Sequence, residues 1–422
     1  ALGLAGASTS FVIAMLALGA AGVFLGVTLL SPLFAEQLTR ALGWPVRKVF
    51  GVPGQLAQQN AGRNPCRTAT TAAALMIGLA MVSMALVVGQ SLKAQLRATL
   101  ESSVQADYLV TEATENRFPD GLEAAIADRP EIDTVTGFSY LGQSVDGVDT
   151  EWVATDLRAT DELFDLGITS GSAYDPNVAN PVLISDEEAA ASNLTVGDRL
   201  PFLSLDGATT QLEVIGVFTD DVIIEEEFLT DDSVFTQAGY EMPREWMALS
   251  TVDGVAPEQT AGAFAALSTA FPTANFDTFG DYVEQLEGFV DQALTALNVL
   301  VALAVIIALI GIANALALSV FERTRELGLL RAVGMTRRQV RSMVRFEAGL
   351  VALFGATLGV VTGVGFGWAA VEALPDSLTS TLAIPTGRIV LLVAVAAAAG
   401  LVAAWGPARR AGKLPILDAI AG

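Results

Sequence analysis

"FERTRELGLLRAVGMTRRQVRSM", residues 321–343, lies in a largely apolar part of the chain. Its first eighteen residues contain five arginines and two glutamates. Residues 292–321 before this charged stretch and residues 348–371 after it contain no charged side chain. A helix needs about 20 apolar residues to cross about 30 Å of hydrocarbon, and both runs are long enough. The chain is therefore expected to leave the membrane, form a short charged segment and return at once.

Five uncharged runs of this kind occur along the 422-residue chain, whose residues are 52% hydrophobic. They cover residues 1–35, 68–92, 292–321, 348–371 and 389–408. Helices of soluble proteins are seldom so long and so apolar, so five transmembrane helices are predicted. The first run follows neither an initiator Met nor a charged segment, so we do not interpret it as a signal peptide and expect more protein upstream.

Charged residues divide the chain into basic segments and one acidic domain. Of the 23 Lys and Arg residues, 15 lie in residues 36–67, in residues 322–345 and in the tail, which together hold four acids. Residues 92–291 hold 39 acids and seven bases. The positive-inside rule predicts that the basic segments and the C-terminus are cytoplasmic and that the acidic domain is outside. The acidic total argues against nucleic acid as a partner.

The resulting layout is an α-helical transmembrane bundle that carries an extracytoplasmic α+β domain on stalk helices. It consists of a transmembrane helix in 1–35, a cytoplasmic linker in 36–67, a transmembrane helix in 68–92, the extracytoplasmic domain with its stalk helices in 93–291, and a core of three transmembrane helices with a cytoplasmic tail in 292–422.

Within the acidic domain, the pattern predicts both stalks and several strands and helices. Leu92, Leu96 and Leu100 are spaced by four and extend the second span as an amphipathic stalk, and residues 279–300 lead into the third span. Strands are predicted in 106–112, 181–186 and 245–252 and on both sides of a turn at Asp206-Gly207, and helices in 121–128 and 258–271.

The charged stretch itself is predicted to be a helix, a glycine turn and a second, capped helix. Gly334 suits the left-handed conformation that ends a helix, and Thr336 with Gln339 fits a capping box. In the first helix, residues 321–333, Leu327, Leu330 and Val333 are expected to share one face.

Two interpretations of this first helix remain open. It could be an anchor lying among lipid headgroups, or a docking helix that fits a groove on a cytoplasmic partner. An anchor needs only basic residues, so the interleaved Glu322 and Glu326 favour docking.

Four glycines recur at every fourth position of the fourth predicted span: Gly355, Gly359, Gly363 and Gly367. Small residues at this spacing share one helix face and permit close approach of a neighbouring helix. The alternative is that this face lines a substrate groove or gate.

Other candidate sites give weaker signals. The acidic run 219–232 is expected to be a solvated loop, with a calcium site or a patch for a cationic partner as alternatives. Glu347 is expected to snorkel or to pair with Arg345 or Arg341.

No catalytic, cofactor-binding or metal-binding residue is predicted in this chain. There is no histidine, Cys66 is the single cysteine, and no nucleophile constellation is recognisable. The stretch "GPARRAGKL" (406–414) has the wrong glycine spacing for a phosphate-binding loop and lacks its Ser or Thr. A membrane-anchored enzyme is therefore the least favoured class.

The membrane core resembles a known family. Residues 298–363, "NVLVALAV…GATLGVVTG", are similar to the core of FtsX-like permeases, the MacB/LolC class of ABC transporter membrane subunits. Residues 57–82 and the tail 406–422 resemble other parts of that family, and the acidic domain resembles a MacB-like periplasmic core more loosely. The extra first span resembles ten-helix members, of which this chain would be the C-terminal half.

The resemblance implies that residues 321–335 form a coupling helix that docks on a separate cytoplasmic ABC ATPase dimer, which would use ATP and Mg²⁺. The docking residues implied by position are Glu322, Arg323, Glu326, Leu327, Leu330, Arg331 and Met335. Further implied partners are the other permease half or a second permease subunit, an extracytoplasmic protein and membrane lipids. The implied location is the plasma membrane of a bacterium.

Two functions are compatible with this resemblance. The chain could help to export or extract lipids, lipoproteins or amphipathic compounds. Alternatively, it could be a mechanotransmitter that moves no substrate and instead activates a cell-wall hydrolase or acts in sensing.

Overall fold

The computed structural model describes residues 9–112, 118–119, 121–145, 148–219, 226–373 and 381–413. Parts of three sequence features lie outside these ranges: residues 1–8 of the first uncharged run, residues 220–225 of the acidic run and residues 414–422 of the tail. The chain divides into two compact units, one formed by Ala1–Ala94 with Val290–Gly422 and the other by Gln95–Phe289.

Long helices make up the first unit. Those that belong to it wholly or in part are α1 (Thr9–Phe50), α2 (Val52–Arg63), α3 (Pro65–Ser103), α9 (Phe279–Glu322), α10 (Thr324–Ala332), α11 (Arg337–Ala373), α12 (Thr386–Ala403) and α13 (Trp405–Ala411). Five segments among the described residues are long and apolar enough to cross a membrane: Gly22–Phe50, Pro65–Ser103, Val305–Glu322, Arg337–Ala373 and Thr386–Ala411. By length and composition, these segments confirm the prediction of five transmembrane helices.

Residues 36–67, expected to be a linker, are almost entirely helical. Helix α1 continues beyond the uncharged run to Phe50, and Gly51 then reverses the chain with φ +59°. Pro53 lies in the first turn of α2, where its missing N–H leaves no helical hydrogen bond unmade. The result is a helical hairpin, which the composition of residues 36–67 does not reveal.

Glycines of α11 bring this helix into close contact with α3. A Cβ added at Gly359 would lie 2.5 Å from the carbonyl oxygen of Met76 on α3, and one at Gly363 would lie 2.3 Å from that of Ala80. A Cβ at Gly355 would lie 2.9 Å from the carbonyl oxygen of Ala72, and one at Gly367 would lie 2.7 Å from the side chain of Val87. Backbone and side-chain atoms of α3 therefore pack against the glycine face of α11.

The second unit is built on a mixed sheet. Its strands are β1 (Tyr108–Glu112), β2 (Ile132–Val145), β3 (Val148–Thr155), β4 (Ser170–Gly171), β5 (Pro181–Ser185), β6 (Arg199–Leu203), β7 (Thr209–Phe218), β8 (Phe228–Asp231), β9 (Trp246–Thr251) and β10 (Ala274–Thr278). They lie in the order β10-β1-β9-β2-β3-β8-β5-β7-β4, with β6 paired to β7. The helices are α4 (Leu122–Ala127), α5 (Leu157–Leu163), α6 (Asp186–Ser192), α7 (Asp232–Gln237) and α8 (Pro257–Ala270).

Strand β2 joins the two halves of this sheet. Its residues up to Phe138 pair with β9, and those from Ser139 onward pair with β3. Separate apolar clusters lie on either side of this junction, one around Leu249 and Phe264 and the other around Ile184. A third cluster, which includes Phe138 and Val153, draws on strands of both halves, so the unit has a continuous backbone framework and a core that spans the junction.

A half-buried arginine connects two helices of this unit to the sheet. Arg244 contacts Glu123 of α4 at 2.8 Å and Asp232 of α7 at 2.5 Å, and it also donates to the hydroxyl of Ser139. Burial raises the pKa of the Asp232 carboxyl. Burial alone would lower the pKa of Arg244, but its bonds to both carboxylates outweigh this effect and raise it.

The glycine contact predicts that Gly363→Ala will force α3 and α11 apart. Overpacking of this kind costs about 1–3 kcal/mol, so the melting temperature of the detergent-purified chain should fall. The control is Gly365→Ala on the same helix, because a Cβ at Gly365 meets nothing within 4 Å. Equal melting temperatures for the two variants would contradict the contact.

A second prediction concerns Arg244→Met, which leaves Glu123 and Asp232 without their cation. Removing one partner of a fully buried pair costs about 3–5 kcal/mol. Because these side chains are 20–31% exposed, a smaller cost is expected, and amides of α4 and α7 should exchange hydrogen at least about 10-fold faster. Arg199→Met, which removes an exposed pair with Glu213, is the control and should leave exchange nearly unchanged. Slow exchange in Arg244→Met would show that the arginine does not hold these helices.

Candidate functional site

The charged stretch begins at a break between two helices. Helix α9 runs without interruption from Phe279 to Glu322, so the predicted stalk and third span are one helix. Arg323 then leaves the helical conformation, with φ −100° and ψ 22°, and α10 begins at Thr324. The helix predicted from residue 321 is therefore shorter, because residues 321 and 322 still belong to α9.

The end of α10 follows the predicted turn chemistry. Gly334 has φ +115°, which a side chain would disfavour. The backbone N–H of Gln339 donates to the hydroxyl of Thr336 at 3.3 Å, and the backbone N–H of Thr336 donates to the amide oxygen of Gln339 at 2.9 Å. This reciprocal pair is a capping box, and it fixes the direction in which α11 starts.

One face of α10 is packed inside the chain. Leu327 is 5% exposed and lies in an apolar cluster with Ala57 of α2 and Val340 and Met343 of α11, and Met335 packs against the same cluster. Leu330 and Arg331 are half-buried. Of the residues predicted to dock, Leu327 thus anchors α10 from within and is not accessible to a partner.

The opposite face of α10 and the end of α9 expose apolar side chains beside carboxylates. Phe321, Leu329 and Val333 are 80%, 61% and 83% exposed, and Glu322 and Glu326 are also exposed. The prediction that Val333 shares a face with Leu327 was wrong. Each three-residue step turns a helix about 60° short of a full circle, so two steps carry Val333 away from the buried side.

Phe321 and Leu329 were not among the residues predicted to dock, because those residues were taken by position from the family resemblance. Regular spacing identifies the face that packs inside the chain, here marked by Leu327. The two missed residues break that spacing, and this departure is the signal that could have found them.

An ion pair ties the start of α10 to α11. The guanidinium of Arg323 lies 3.7 Å from the carboxylate of Glu347, and their side chains are 17% and 13% exposed. Asn60 of α2 donates to the same carboxylate at 3.4 Å. The pairing expected for Glu347 with Arg341 or Arg345 was wrong, because residues two and six positions apart do not face each other on a helix.

Arg67 adds a second connection at the end of α9. Its guanidinium lies 3.3 Å from Glu322 and donates to the backbone carbonyl of Ala315 at 3.2 Å. Helices α2, α3, α9 and α11 are thus linked at the point where α10 begins. A displacement of α10 would act on all of them.

The described residues contain no group of three or more His, Cys, Asp or Glu side chains placed to hold a metal ion. Cys66 is exposed.

Two family models match the chain. The FtsX-like permease C-terminal model matches residues 298–416, which include α10 and its surroundings. The MacB-like periplasmic core domain model matches residues 68–267, which include most of the second unit.

Relatives with similar sequences are ABC transporter permeases. The uncharacterized ABC transporter permease protein Rv0987 of Mycobacterium tuberculosis is 23% identical over 95% of this chain and 49% of its own length. The pyoverdine export ATP-binding/permease protein PvdT of Pseudomonas syringae is 24% identical over 85% and 57%. The macrolide export ATP-binding/permease protein MacB of Burkholderia lata is 32% identical over 36% and 21%. The chain spans at most 57% of these relatives.

Solved structures with partial similarity include the periplasmic region of MacB from Actinobacillus actinomycetemcomitans. The TM-score is 0.35 with 9% identity, over 46% of this chain and 97% of that one. The extracellular domain of the ABC-type transporter YknZ gives a TM-score of 0.31 with 11% identity, over 41% and 99%. Residues 298–416 thus match the C-terminal region of FtsX-like permeases, and residues 68–267 match a MacB-like periplasmic core domain.

Proposed function

We propose that this chain is the membrane subunit of an ABC transporter in which a separate cytoplasmic ATPase, using ATP and Mg²⁺, moves the extracytoplasmic domain. Helix α10 is the docking element. The observation that carries this proposal is the division of α10 into a face anchored inside the chain by Leu327 and an exposed apolar face formed by Leu329 and Val333.

The exposed face suits a protein partner better than a lipid surface. Its apolar side chains lie beside Glu322 and Glu326, and carboxylates are repelled by anionic headgroups. A groove with apolar pockets and basic rims would complement such a face. The basic residues of 322–345 support a cytoplasmic position for it.

A movement of α10 would be passed on through the contacts that connect it to α9 and α11. Arg323 lies at the break between α9 and α10 and pairs with Glu347 of α11, so a tilt of α10 pulls on both long helices. Helix α9 continues without a break from Glu322 back to Phe279. A rigid helix of this length can carry a displacement towards the residues that enter the second unit.

The output of this movement is proposed to be export of amphipathic compounds, lipids or lipoproteins. Two relatives are named for macrolide and pyoverdine export, although the chain spans only part of each. The other permease half or a second permease subunit would complete the pathway, and an extracytoplasmic protein could receive the substrate.

The first test of docking is Leu329→Asp combined with Val333→Asp. Charges on this exposed apolar face should cost at least about 2 kcal/mol at the interface, so copurification of the chain's ATPase should fall about 30-fold or more. Leu205→Asp is the matched control, because Leu205 is 65% exposed in the second unit while Leu329 is 61% exposed.

Membrane insertion and yield should be unchanged in all three proteins. The docking assignment fails if the Leu329/Val333 variant retains the ATPase at the level of the Leu205 variant.

The second test concerns transmission through Arg323 and Glu347. Arg323→Glu or Glu347→Arg alone puts two like charges together in a poorly solvated place, whereas the double exchange restores an ion pair. The exposed docking face is unaltered, so the ATPase should still copurify.

The measurement is hydrogen exchange of residues 279–289 with and without ATP. Each single variant should lose the ATP-dependent difference and the double exchange should regain it. Single variants that keep the full difference would show that the pair does not transmit movement.

A further inference from the structure

The hairpin of α1 and α2 contains a polar cleft that the permease core does not explain. The cleft has a volume of about 610 Å³ and is lined by three arginines, Arg40, Arg47 and Arg63, together with glutamine side chains that include Gln55 and Gln59. It lies outside residues 68–267 and 298–416, the parts matched by the family models.

The walls of the cleft are held at fixed positions. A Cβ at Gly54 of α2 would lie 2.5 Å from the carbonyl oxygen of Val46 of α1, so the two helices are in backbone contact. The buried side chain of Gln58 donates to the carbonyl oxygen of Arg40 at 2.6 Å and ties the helices a second time. The arginines therefore project from a preorganised frame.

The cleft has an excess of positive charge. Its single carboxylate, Glu36, pairs with Arg40 at 2.5 Å. Among the residues that the structure describes, neither Arg47 nor Arg63 forms an ion pair or hydrogen bond through its side chain. Two guanidinium groups and neighbouring glutamine amides are thus available to an anion that enters the cleft.

The cleft begins where the apolar part of α1 ends. Glu36 is the first charged residue after the uncharged run 1–35, and the preceding turns expose Leu29 and Leu33 at 70% and 68%. Trp44, which is 53% exposed, follows two turns later. Tryptophan and basic residues directly beyond an apolar span are typical of the headgroup layer of a membrane.

We propose that this cleft binds the phosphate of an anionic phospholipid. Guanidinium groups bind phosphate oxygens through paired, charge-assisted hydrogen bonds, and the glutamine amides add neutral donors. The acyl chains would lie along the exposed leucines of α1. Basic pockets beside membrane helices are a recognised kind of site for anionic lipid headgroups.

The test uses the full chain in detergent, mixed with equal amounts of phosphatidylglycerol or phosphatidylcholine, and counts bound lipid by native mass spectrometry. The wild-type chain should favour phosphatidylglycerol. Each basic residue near a membrane surface contributes about fivefold, so Arg47→Gln with Arg63→Gln should weaken phosphatidylglycerol binding about 25-fold. Gln59→Glu, which adds a carboxylate and removes no cation, should weaken it as well.

Arg337→Gln with Arg338→Gln is the matched control, because it removes two exposed arginines from another basic segment. This control should retain the preference. An equal loss in the control would overturn the site, since binding would then follow total positive charge. Inorganic phosphate in excess should not displace the lipid, and complete displacement would overturn the lipid assignment in favour of free phosphate.

Discussion

The first unit depends on how the chain is held at the break between α9 and α10. A single residue, Arg323, lies outside both helices, and its side chain is held by Glu347 in a place that water reaches poorly. Desolvation offsets most of the attraction in such a pair, so the pair contributes more to the orientation of the helices than to the free energy of unfolding. Because Arg323 lies at the break and Glu347 belongs to α11, the pair restrains the direction in which α10 leaves α9.

The packing of α10 inside the chain explains how a helix of nine residues can keep its structure while one face stays exposed. An isolated helix of this length is marginal in water, so its structure must come from packing. Leu327 supplies that packing from the inside, and the capping box at Thr336 and Gln339 fixes the far end. The exposed face of α10 is thereby not needed for packing inside the chain, and its composition can be matched to a partner.

Sequence patterns predicted the elements whose signals are local. The membrane spans, the turn at Gly334 and strands such as β5 depend on run length, glycine chemistry and apolar composition, which are all read within one segment. Strand β2 escaped prediction because Gly137 interrupts it. A Cβ at Gly137 would lie 2.7 Å from the side chain of Arg244, so this glycine serves a partner 107 positions away. The pairing of Arg323 with Glu347 was missed for the same reason, since no pattern within one helix specifies it.

The hairpin of α1 and α2 is another element whose packing no local pattern predicted, and it lies outside the residues that the two family models match. Its composition, with three prolines and scattered basic residues, indicated only a linker, yet the structure packs it by backbone contact at Gly54 and Val46. Ala57 and Ala61 of α2 also pack in the apolar cluster that contains Leu327. A lipid held between α1 and α2 would therefore restrain the same cluster that anchors α10. Lipid composition would then bear on the docking helix through packing alone, without direct contact between lipid and ATPase.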